Sequence, residues 1–321
     1  MAQPDRNIAL ITGGSQGIGA ATARVLVDKG FFVVINYSNN VQAAKKVIED
    51  LGRENATSIM ADASRVDEIE NMVNTVVSMF GRIDAFIANA AKLGLQDISE
   101  TTEEGFDALF AINVKGPYFL AQKAAPHMPP GSHIVLLSTT QCHASTVTSN
   151  YLLYTMTKGA IEQMARVLAK GLGPKGIFVN AVAPGPTSTE LFLNGKSKQL
   201  LDTLAGLNPH NRIGEPKDVA EAVGFLTQNQ WVSGQVVKVN GVFSMMTSSL
   251  VLSNERASNR LQLYLCTLSR RRVRLIGPDM YAGYPAHHSG APSDIWQSPE
   301  ITEHSLKAVI GGKWVTYFRV Y

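Results

Sequence analysis

The chain has 321 residues, of which 45% are hydrophobic and 17% charged, a composition typical of a globular protein with a sizeable buried core. Its formal net charge is +3, but residues 247–321 alone carry nine Lys/Arg and five Asp/Glu. The basic excess therefore belongs to the C-terminal segment. It does not predict that residues 1–246 bind nucleic acid or an anionic membrane surface.

The N-terminus and the cysteines bear on the cellular compartment. No basic segment followed by a long apolar stretch opens the chain, so we expect no signal peptide. No apolar run approaches the roughly 20 residues that a membrane-spanning helix needs. Cys142 and Cys266 lie far apart and without metal-ligand spacing. We therefore expect a cytoplasmic protein without a metal site.

In chain order, short and almost wholly apolar runs alternate with segments of helical period. Such continuous apolar runs are typical of strands buried on both faces of a parallel sheet. The alternation predicts an α/β domain over residues 1–246, a doubly wound Rossmann fold with right-handed crossovers and a seven-stranded, mainly parallel sheet. The predicted strands are NIALIT (7–12), FFVVIN (31–36), TSIM (57–60), IDAFIA (83–88), HIVLLS (133–138), IFVNAV (177–182) and QVVKV (235–239).

Residues 247–321 do not continue this alternation. They contain the basic run SRRRVR (269–274) and four prolines, without a sustained period. Most such charge runs are solvated surface, and a partner-binding patch is the alternative. We interpret this segment as an irregular basic extension of unknown structure, either disordered or engaged with a partner.

A glycine-rich stretch, TGGSQGIG (12–19), follows the first predicted strand and opens a helical segment. Glycine permits a sharp turn and lets a phosphate approach the backbone, while the helix N-terminus offers free N–H groups to an anion. In this context the stretch predicts a nucleotide-binding turn; a tight turn without a ligand is the alternative. The candidate cofactor residues here are Gly13, Ser15, Gln16, Gly17, Ile18 and Gly19.

A tyrosine and a lysine are spaced for acid–base chemistry in NYLLYTMTKG (150–159). Residues i and i+4 share one face of a helix, so Tyr154 and Lys158 can act together. A phenol with an ordinary pKa near 10 is a poor partner near neutral pH, and a neighbouring ammonium group lowers that pKa. Tyr151 lies two helical turns from Lys158, which makes Tyr154 the better candidate. An isolated pair of this kind is more often surface decoration, so the surrounding motifs decide its meaning.

Several motifs, taken together and in order, resemble the short-chain dehydrogenase/reductase family over roughly residues 5–245. The resemblance implies an enzyme that transfers hydride between a nicotinamide cofactor and a carbonyl or alcohol, and a homo-oligomer, either a dimer or a tetramer. RIGEPKDVA (212–220) and WVSGQVVKVNG (231–241) resemble the family's C-terminal region. The other motifs are the TGxxxGxG turn, Asn89-Ala90-Ala91 in place of the usual Asn-Ala-Gly, Asn113 in INVKG, Tyr154-x-x-x-Lys158, and Pro184-Gly185 in NAVAPGPTST.

The resemblance also implies roles for single residues. Tyr154 would be the general acid or base, and Lys158 would lower its pKa and hydrogen-bond the nicotinamide ribose. Asn113 would hold a water in a proton relay, unless it is a helix-interior Asn bonded to backbone. The remaining implied cofactor positions are Asp62 at the adenine ring, Asn89 on the adenosine side, Pro184 and Gly185, and Thr187 and Thr189 near the nicotinamide amide.

The resemblance also implies a hydroxyl group after the fifth predicted strand, which would polarise the carbonyl. The candidates Ser138, Thr139 and Thr140 lie 16, 15 and 14 positions before Tyr154. Counting from the strand end favours Ser138 or Thr139, whereas counting back from the tyrosine favours Thr140. We take Ser138 as the leading candidate, followed by Thr139.

The end of the second predicted strand bears on the choice of cofactor. An acidic residue there hydrogen-bonds the adenosine ribose and repels a 2′-phosphate. The chain instead has Asn36-Tyr37-Ser38-Asn39, which favours NADP(H), with Asn36 and Ser38 as donors to the phosphate. Gln16 stands where many NADP-dependent relatives carry Arg or Lys. A polar loop cap is the alternative interpretation.

Residues 190–211 occupy the place of the family's substrate lid, with an apolar wall at Leu191, Phe192 and Leu193. VVINYSNN and PGPTSTELF resemble NADPH-dependent 3-oxoacyl and polyketide-type naphthol reductases, which implies a ketone on a hydrophobic or polyketide-like substrate. The leading hypothesis is an NADP(H)-dependent ketone reductase of secondary metabolism. The alternative is an NADP(H)-binding regulatory or scaffold protein with little turnover, which the Asn-Ala-Ala variant would suit.

Overall fold

The structure, a computed structural model, describes residues 6–145 and 147–242, and the backbone of residues 306–310 and 313–317. Its main part is a seven-stranded sheet in the order β3-β2-β1-β4-β5-β6-β7, with every neighbouring pair parallel. This confirms the predicted doubly wound fold. The strands are β1 (Ile8–Ile11), β2 (Phe32–Tyr37), β3 (Ala56–Met60), β4 (Ala85–Ala88), β5 (His133–Leu137), β6 (Phe178–Pro184) and β7 (Val236–Val239).

Helices connect these strands and cover both faces of the sheet. Local chemistry sets their ends: the Asn40 side chain caps α2 by accepting from the Ala43 N–H at 2.9 Å, and Gly81 ends α3 with a left-handed φ of +76°. No helix among the described residues could span a membrane. The helices are α1 (Gly17–Asp28), α2 (Val41–Leu51), α3 (Val66–Phe80), α4 (Glu103–Phe110), α5 (Gly116–Ala124), α6 (Leu152–Leu172), α7 (Glu190–Leu193), α8 (Lys198–Gly206) and α9 (Pro216–Leu226).

Alternation of side chains along each strand divides the core into two layers. Leu10 and Phe86 face one layer, which is completed by α3, α5 and α6. Ile11 and Ile87 face the other, which is completed by α1, α2 and α9. All four side chains are fully buried. Because both faces are covered, the strands carry apolar residues at successive positions, which explains the continuous runs in the sequence.

The strand order determines where a ligand can bind. The chain runs outward from β1 to β3 on one side and then resumes at β4 on the other side of β1. The loops after β1 and β4 therefore diverge at the carboxyl edge of the sheet, which is the usual ligand site of an open α/β sheet.

A second compact unit comprises residues 258–321. Within it β8 (Leu306–Ile310) and β9 (Lys313–Tyr317) pair as antiparallel strands. The sequence pattern of residues 247–321 predicts no regular element. The local signal for these two strands is a Gly-Gly pair between two short runs of β-forming residues. The predicted domain boundary at residues 246 and 247 and the SRRRVR run lie outside the described residues.

Candidate active site

The glycine-rich stretch forms the turn between β1 and α1. Gly13 and Gly17 have φ values of +62° and +54°, which disfavour residues with a side chain. A Cβ added to Gly19 would lie 2.2 Å from the Gly13 carbonyl oxygen, so glycine is required there. The first N–H groups of α1 face no side-chain cap within the described part of the chain, as suits an anion site. The other predicted residues of this turn are Ser15, Gln16 and Ile18, all at least partly accessible.

Asn89, which follows β4, holds this turn in shape. Its Nδ2 donates to the carbonyl oxygens of Thr12 at 3.0 Å and Gly13 at 2.9 Å. The Thr12 hydroxyl in turn accepts from the backbone N–H groups of Asn89 and Ala90, at 3.1 Å each. These bonds join the ends of β1 and β4 at the place where the strand order diverges.

The residues predicted to select the cofactor follow β2. Asn36 is 1% exposed, and its Nδ2 donates to the Ala61 carbonyl oxygen at 2.9 Å. Its amide thus ties β2 to the end of β3 and is not presented to solvent. Ser38 and Asn39 are exposed, with their side chains in contact. Of the two predicted phosphate donors, Ser38 is the accessible one.

Asp62, beyond β3, is an ionised acceptor near the same edge. Its Oδ1 accepts from the Ser64 N–H at 2.9 Å and from the Ser64 hydroxyl at 2.7 Å. Burial opposes ionisation, but these bonds and the positive charges of Lys92 and Arg65 outweigh it and keep the pKa of Asp62 below its ordinary value. The carboxylate is therefore available to hydrogen-bond donors on a ligand.

Tyr154 and Lys158 lie one turn apart on α6, as the sequence predicts. The Lys158 Nζ is 5.8 Å from the centre of the Tyr154 ring and donates to the Leu137 carbonyl oxygen at 2.7 Å. Lys158 is 4% exposed, and this burial lowers its pKa to about 8. Near neutral pH the side chain is still mostly an ammonium group, held against the end of β5.

Burial dominates the acidity of Tyr154. Removal from water raises the pKa of its phenol well above 10, and charge on Cys142 or Tyr151 acts in the same direction. This direction is opposite to the expectation that Lys158 lowers the pKa. The physical reason is that the ammonium group bonds to the Leu137 carbonyl oxygen and not to the phenol. The phenol is therefore a protonated group at neutral pH.

The candidate hydroxyl groups after β5 face different ways. Ser138 is 4% exposed, and its Oγ donates to Glu162 Oε1 at 2.8 Å, with the Lys158 carbonyl oxygen 3.4 Å away. Ser138 therefore faces α6. The pocket beside Tyr154 is lined instead by Thr139 and Thr140.

Hydrogen bonds distinguish the two threonines. Thr140 Oγ1 donates to the Pro184 carbonyl oxygen at 3.1 Å, which occupies its proton. Thr139 Oγ1 accepts from the Gln141 N–H at 3.3 Å, and its own proton has no acceptor within the described residues. A carbonyl group in the pocket needs a donor, and Thr139 can supply one.

The pocket itself is a cavity of about 80 Å³ with an apolar wall. The wall includes Leu191 and Phe192 of the predicted lid and also Leu93, which the sequence analysis missed; Leu193 does not line it. Lys196 Nζ donates to the Phe192 carbonyl oxygen at 2.6 Å and lies 4.5 Å from the centre of its ring. The hydrogen bond of Lys196 thus stabilises the lid, and partial burial lowers the pKa of this lysine.

Asn113 lies in a π-helical turn, Ala111–Lys115, between α4 and α5, a geometry that often occurs at functional sites. Its Nδ2 donates to the Lys92 carbonyl oxygen at 3.0 Å and to Thr157 Oγ1 at 3.1 Å. Its Oδ1 accepts from the Lys92 N–H at 3.0 Å. The amide thus bonds to backbone, the alternative that the sequence left open. A role in a water relay stays a prediction.

The segment after β6 returns to the glycine turn. A Cβ on Gly185 would lie 2.7 Å from Asn240 Cβ, and Thr187 Oγ1 donates to the Gly185 carbonyl oxygen at 2.9 Å. Thr189 caps α7 through its hydroxyl, and its Cγ2 would be 3.2 Å from a Cβ on Gly17. Pro184 ends β6 and offers its carbonyl oxygen to Thr140. These predicted cofactor residues therefore border the glycine turn on one side and the pocket on the other.

Glu162 is a buried carboxyl group at this site that the sequence analysis missed. It is 3% exposed on α6 and lies 2.8 Å from Ser138 Oγ and 3.0 Å from His143 Nε2. The sequence does contain a signal for Glu162: it lies four residues beyond Lys158, and this spacing predicts that the two side chains share one face of the helix.

Comparison with known proteins agrees with this geometry. A family model described as enoyl-(acyl carrier protein) reductase matches residues 13–244. The chain belongs to the short-chain dehydrogenase/reductase family, whose members are oxidoreductases that bind a nicotinamide cofactor. The resemblance inferred from the motifs is confirmed.

The individual relatives are named as reductases or short chain dehydrogenases. Versicolorin reductase stcU of Emericella nidulans is 36% identical over 252 residues, which cover 74% of this chain and 95% of the relative. A probable tetrahydroxynaphthalene reductase of Zymoseptoria tritici is 34% identical over 257 residues, with coverages of 75% and 96%. A short chain dehydrogenase from Burkholderia cenocepacia, solved in complex with NADP, is 29% identical with a TM-score of 0.69 and coverages of 73% and 96%.

Proposed function

We propose that the chain is an NADPH-dependent reductase that converts a ketone on a hydrophobic, polyketide-like substrate to the alcohol. The observation that carries this proposal is that Tyr154 and Thr139 line one apolar-walled pocket at the carboxyl edge of the sheet, with the Lys158 Nζ 5.8 Å from the centre of the Tyr154 ring. Relatives named versicolorin reductase and tetrahydroxynaphthalene reductase support the substrate class.

The glycine turn fits the cofactor. The close approach of Gly19 to the Gly13 carbonyl oxygen, the positive φ at Gly13 and Gly17, and the start of α1 without a side-chain cap together form a cradle for a pyrophosphate. Asp62 would accept hydrogen bonds from the adenine end, and Thr187 and Thr189 would border the nicotinamide end. When bound, the nicotinamide supplies the hydride.

The protein's own groups would handle the oxygen atom of the substrate. The Thr139 hydroxyl donates a hydrogen bond to the carbonyl oxygen and polarises it. Tyr154 transfers its proton to the same oxygen as the carbonyl carbon accepts the hydride, which yields the alcohol and a phenolate. Lys158, an ammonium group at neutral pH, stabilises that phenolate. In this proposal Thr139 replaces Ser138, whose proton is bonded to Glu162.

Phosphate preference would be decided after β2. Ser38 and Asn39 are exposed polar residues, and neither carries a charge that repels a 2′-phosphate. The buried amide of Asn36 would then not contact the phosphate but would hold the end of β2 against the end of β3, through its bond to the Ala61 carbonyl oxygen. The NADP-bound relative is consistent with this preference.

Substrate entry would need the lid to move. The cavity of about 80 Å³ is well below the roughly 300 Å³ at which ligand pockets begin, so a polycyclic ketone needs α7 to shift outward. Leu191 and Phe192 would then cover its apolar face, and closure would exclude water from the reacting groups.

A homo-oligomer, a dimer or tetramer, is part of the same proposal. Large apolar side chains are exposed on neighbouring helices: Phe106 on α4, Tyr118 on α5 and Met156 on α6. Their burial against a second copy would remove this apolar surface from water. Light scattering on the purified chain measures the mass directly.

Turnover with matched substrates tests the function. NADPH oxidation is followed with polycyclic aromatic ketones, simple alkyl ketones and sugar ketones, and repeated with NADH. We expect activity on the aromatic ketones and a preference for NADPH. Tight NADPH binding without turnover of any carbonyl compound would instead support the regulatory or scaffold alternative.

A further inference from the structure

Glu162 is a buried carboxyl group that the proposed reaction does not use. It is 3% exposed, between the apolar core residues Ile161 and Ala165 of α6. A buried carboxyl group is costly unless hydrogen bonds compensate. Its partners within the described residues are the Ser138 hydroxyl at 2.8 Å and His143 Nε2 at 3.0 Å.

Both partners lie on the segment that carries the proposed carbonyl donor. Ser138 directly follows β5, and His143 ends the 3-10 turn Thr140–His143. Thr139 and Thr140 therefore lie between two points that one carboxyl group holds. Both hydrogen bonds of the Glu162 carboxyl group are made to residues of this segment, so loss of the carboxyl group should loosen this segment first.

The position of Glu162 on α6 relates this segment to the proposed acid. The carboxyl group is one turn beyond Lys158 and two turns beyond Tyr154, on the buried face of the same helix. The Ser138 hydroxyl also approaches the Lys158 carbonyl oxygen at 3.4 Å. A single rigid helix thus determines the positions of the acid and of the segment that bears the donor.

We propose that Glu162 is a positioning residue: its carboxyl group holds Ser138 and His143 and thereby keeps Thr139 beside Tyr154 in the pocket. The inference rests on the proposed function for its catalytic consequence. The structural half of the proposal, that Glu162 holds the segment 138–143 in place, is measured without substrate.

Hydrogen exchange of the cofactor-free full chain tests the structural half. The Cys142 and Ala144 amides bond to the Thr139 and Gln141 carbonyl oxygens, so their exchange reports opening of the turn. Glu162→Leu keeps a side chain of similar size but removes both hydrogen bonds, and we expect roughly tenfold to hundredfold faster exchange there. Ile161→Val is the matched control, because it removes a buried methyl from the next position without touching the segment.

A double-mutant cycle and kinetics complete the test. Ser138→Ala added to Glu162→Leu should accelerate exchange no further, since each substitution removes the hydrogen bond between the two side chains. Glu162→Leu should also lower kcat about tenfold and leave the NADPH Kd unchanged, whereas Ile161→Val should keep kcat. Wild-type exchange in Glu162→Leu, or faster exchange with full kcat, would overturn the proposal. Absence of turnover in the wild type would defeat the proposed function, while exchange still decides whether Glu162 holds the segment.

Discussion

His133 makes the stability of the fold sensitive to acid. The residue begins β5, is 4% exposed, and stacks on Phe178 with ring centres 5.3 Å apart. Its Nδ1 has no hydrogen-bond partner within the described residues. Burial lowers its pKa from 6.5 to about 4. The folded protein therefore keeps the ring neutral while the unfolded chain binds a proton below pH 6.5, so stability falls between pH 6.5 and about 4.

The size of this effect follows from the shift in pKa. Each pKa unit corresponds to about 1.36 kcal/mol, so at pH 4 the wild type should lose about 3 kcal/mol of unfolding free energy through His133. Urea denaturation at pH 7 and pH 4 measures the loss, which also includes the titration of carboxylates. His133→Leu removes the histidine contribution alone and should shrink the loss by about 3 kcal/mol.

A surface histidine provides the control for this experiment. His210 is exposed, and His210→Gln should keep the acid dependence of the wild type. The reasoning would be refuted by a His133→Leu variant whose unfolding free energy falls between pH 7 and pH 4 as steeply as that of the wild type.

Three further predictions concern the site. Thr139→Val should lower kcat roughly a hundredfold through loss of the carbonyl donor, and Ser138→Ala by much less; the reverse order in steady-state kinetics would restore Ser138 as the donor. Ser38→Asp should shift the ratio of kcat/KM for NADPH over NADH about tenfold or more toward NADH, because a carboxylate repels the 2′-phosphate; an unchanged ratio would place phosphate recognition elsewhere. Gly19→Ala should abolish NADPH binding in calorimetry, since its Cβ would lie 2.2 Å from the Gly13 carbonyl oxygen, whereas Gly159→Ala meets nothing within 4 Å and should keep the wild-type Kd.

The fold could be predicted because its pattern is local. Each strand is buried on both faces, so an apolar run such as HIVLLS identifies it without knowledge of its neighbours. The glycine turn is equally readable, because positive φ at Gly13 and Gly17 requires that residue type. The strand pair Leu306–Ile310 and Lys313–Tyr317 carries a weaker signal, because each strand is only five residues long.

Side-chain direction at the end of a strand is harder to predict. Ser138 and Thr139 are adjacent, yet one faces Glu162 on α6 and the other faces the pocket. Residue counting cannot separate them, because successive side chains leave a strand on opposite sides. The same difficulty affects the prediction that Asn36 binds the phosphate. Strand β2 continues to Tyr37, so Asn36 is still part of the strand, and its side-chain amide bonds to the Ala61 carbonyl oxygen.

Acidity at the site also depends on tertiary context. The i, i+4 spacing correctly places Lys158 one turn from Tyr154 but does not show what the ammonium group binds. In the fold Lys158 reaches the Leu137 carbonyl oxygen, and burial raises the pKa of Tyr154. Desolvation thus dominates the pKa of Tyr154, and the burial that causes it is evident only in the packed structure.

Single-turnover kinetics of Tyr154→Phe test the central claim, that Tyr154 protonates the substrate carbonyl. The substitution removes one hydroxyl group, and Tyr151→Phe is the matched control on the neighbouring ring, whose centre lies 6.3 Å from that of Tyr154. With NADPH and the best ketone both saturating, stopped-flow absorbance measures the hydride-transfer rate. Tyr154→Phe should slow it roughly hundredfold or more with the NADPH Kd unchanged, while Tyr151→Phe keeps it within a few-fold. A Tyr154→Phe enzyme as fast as the wild type would contradict the account.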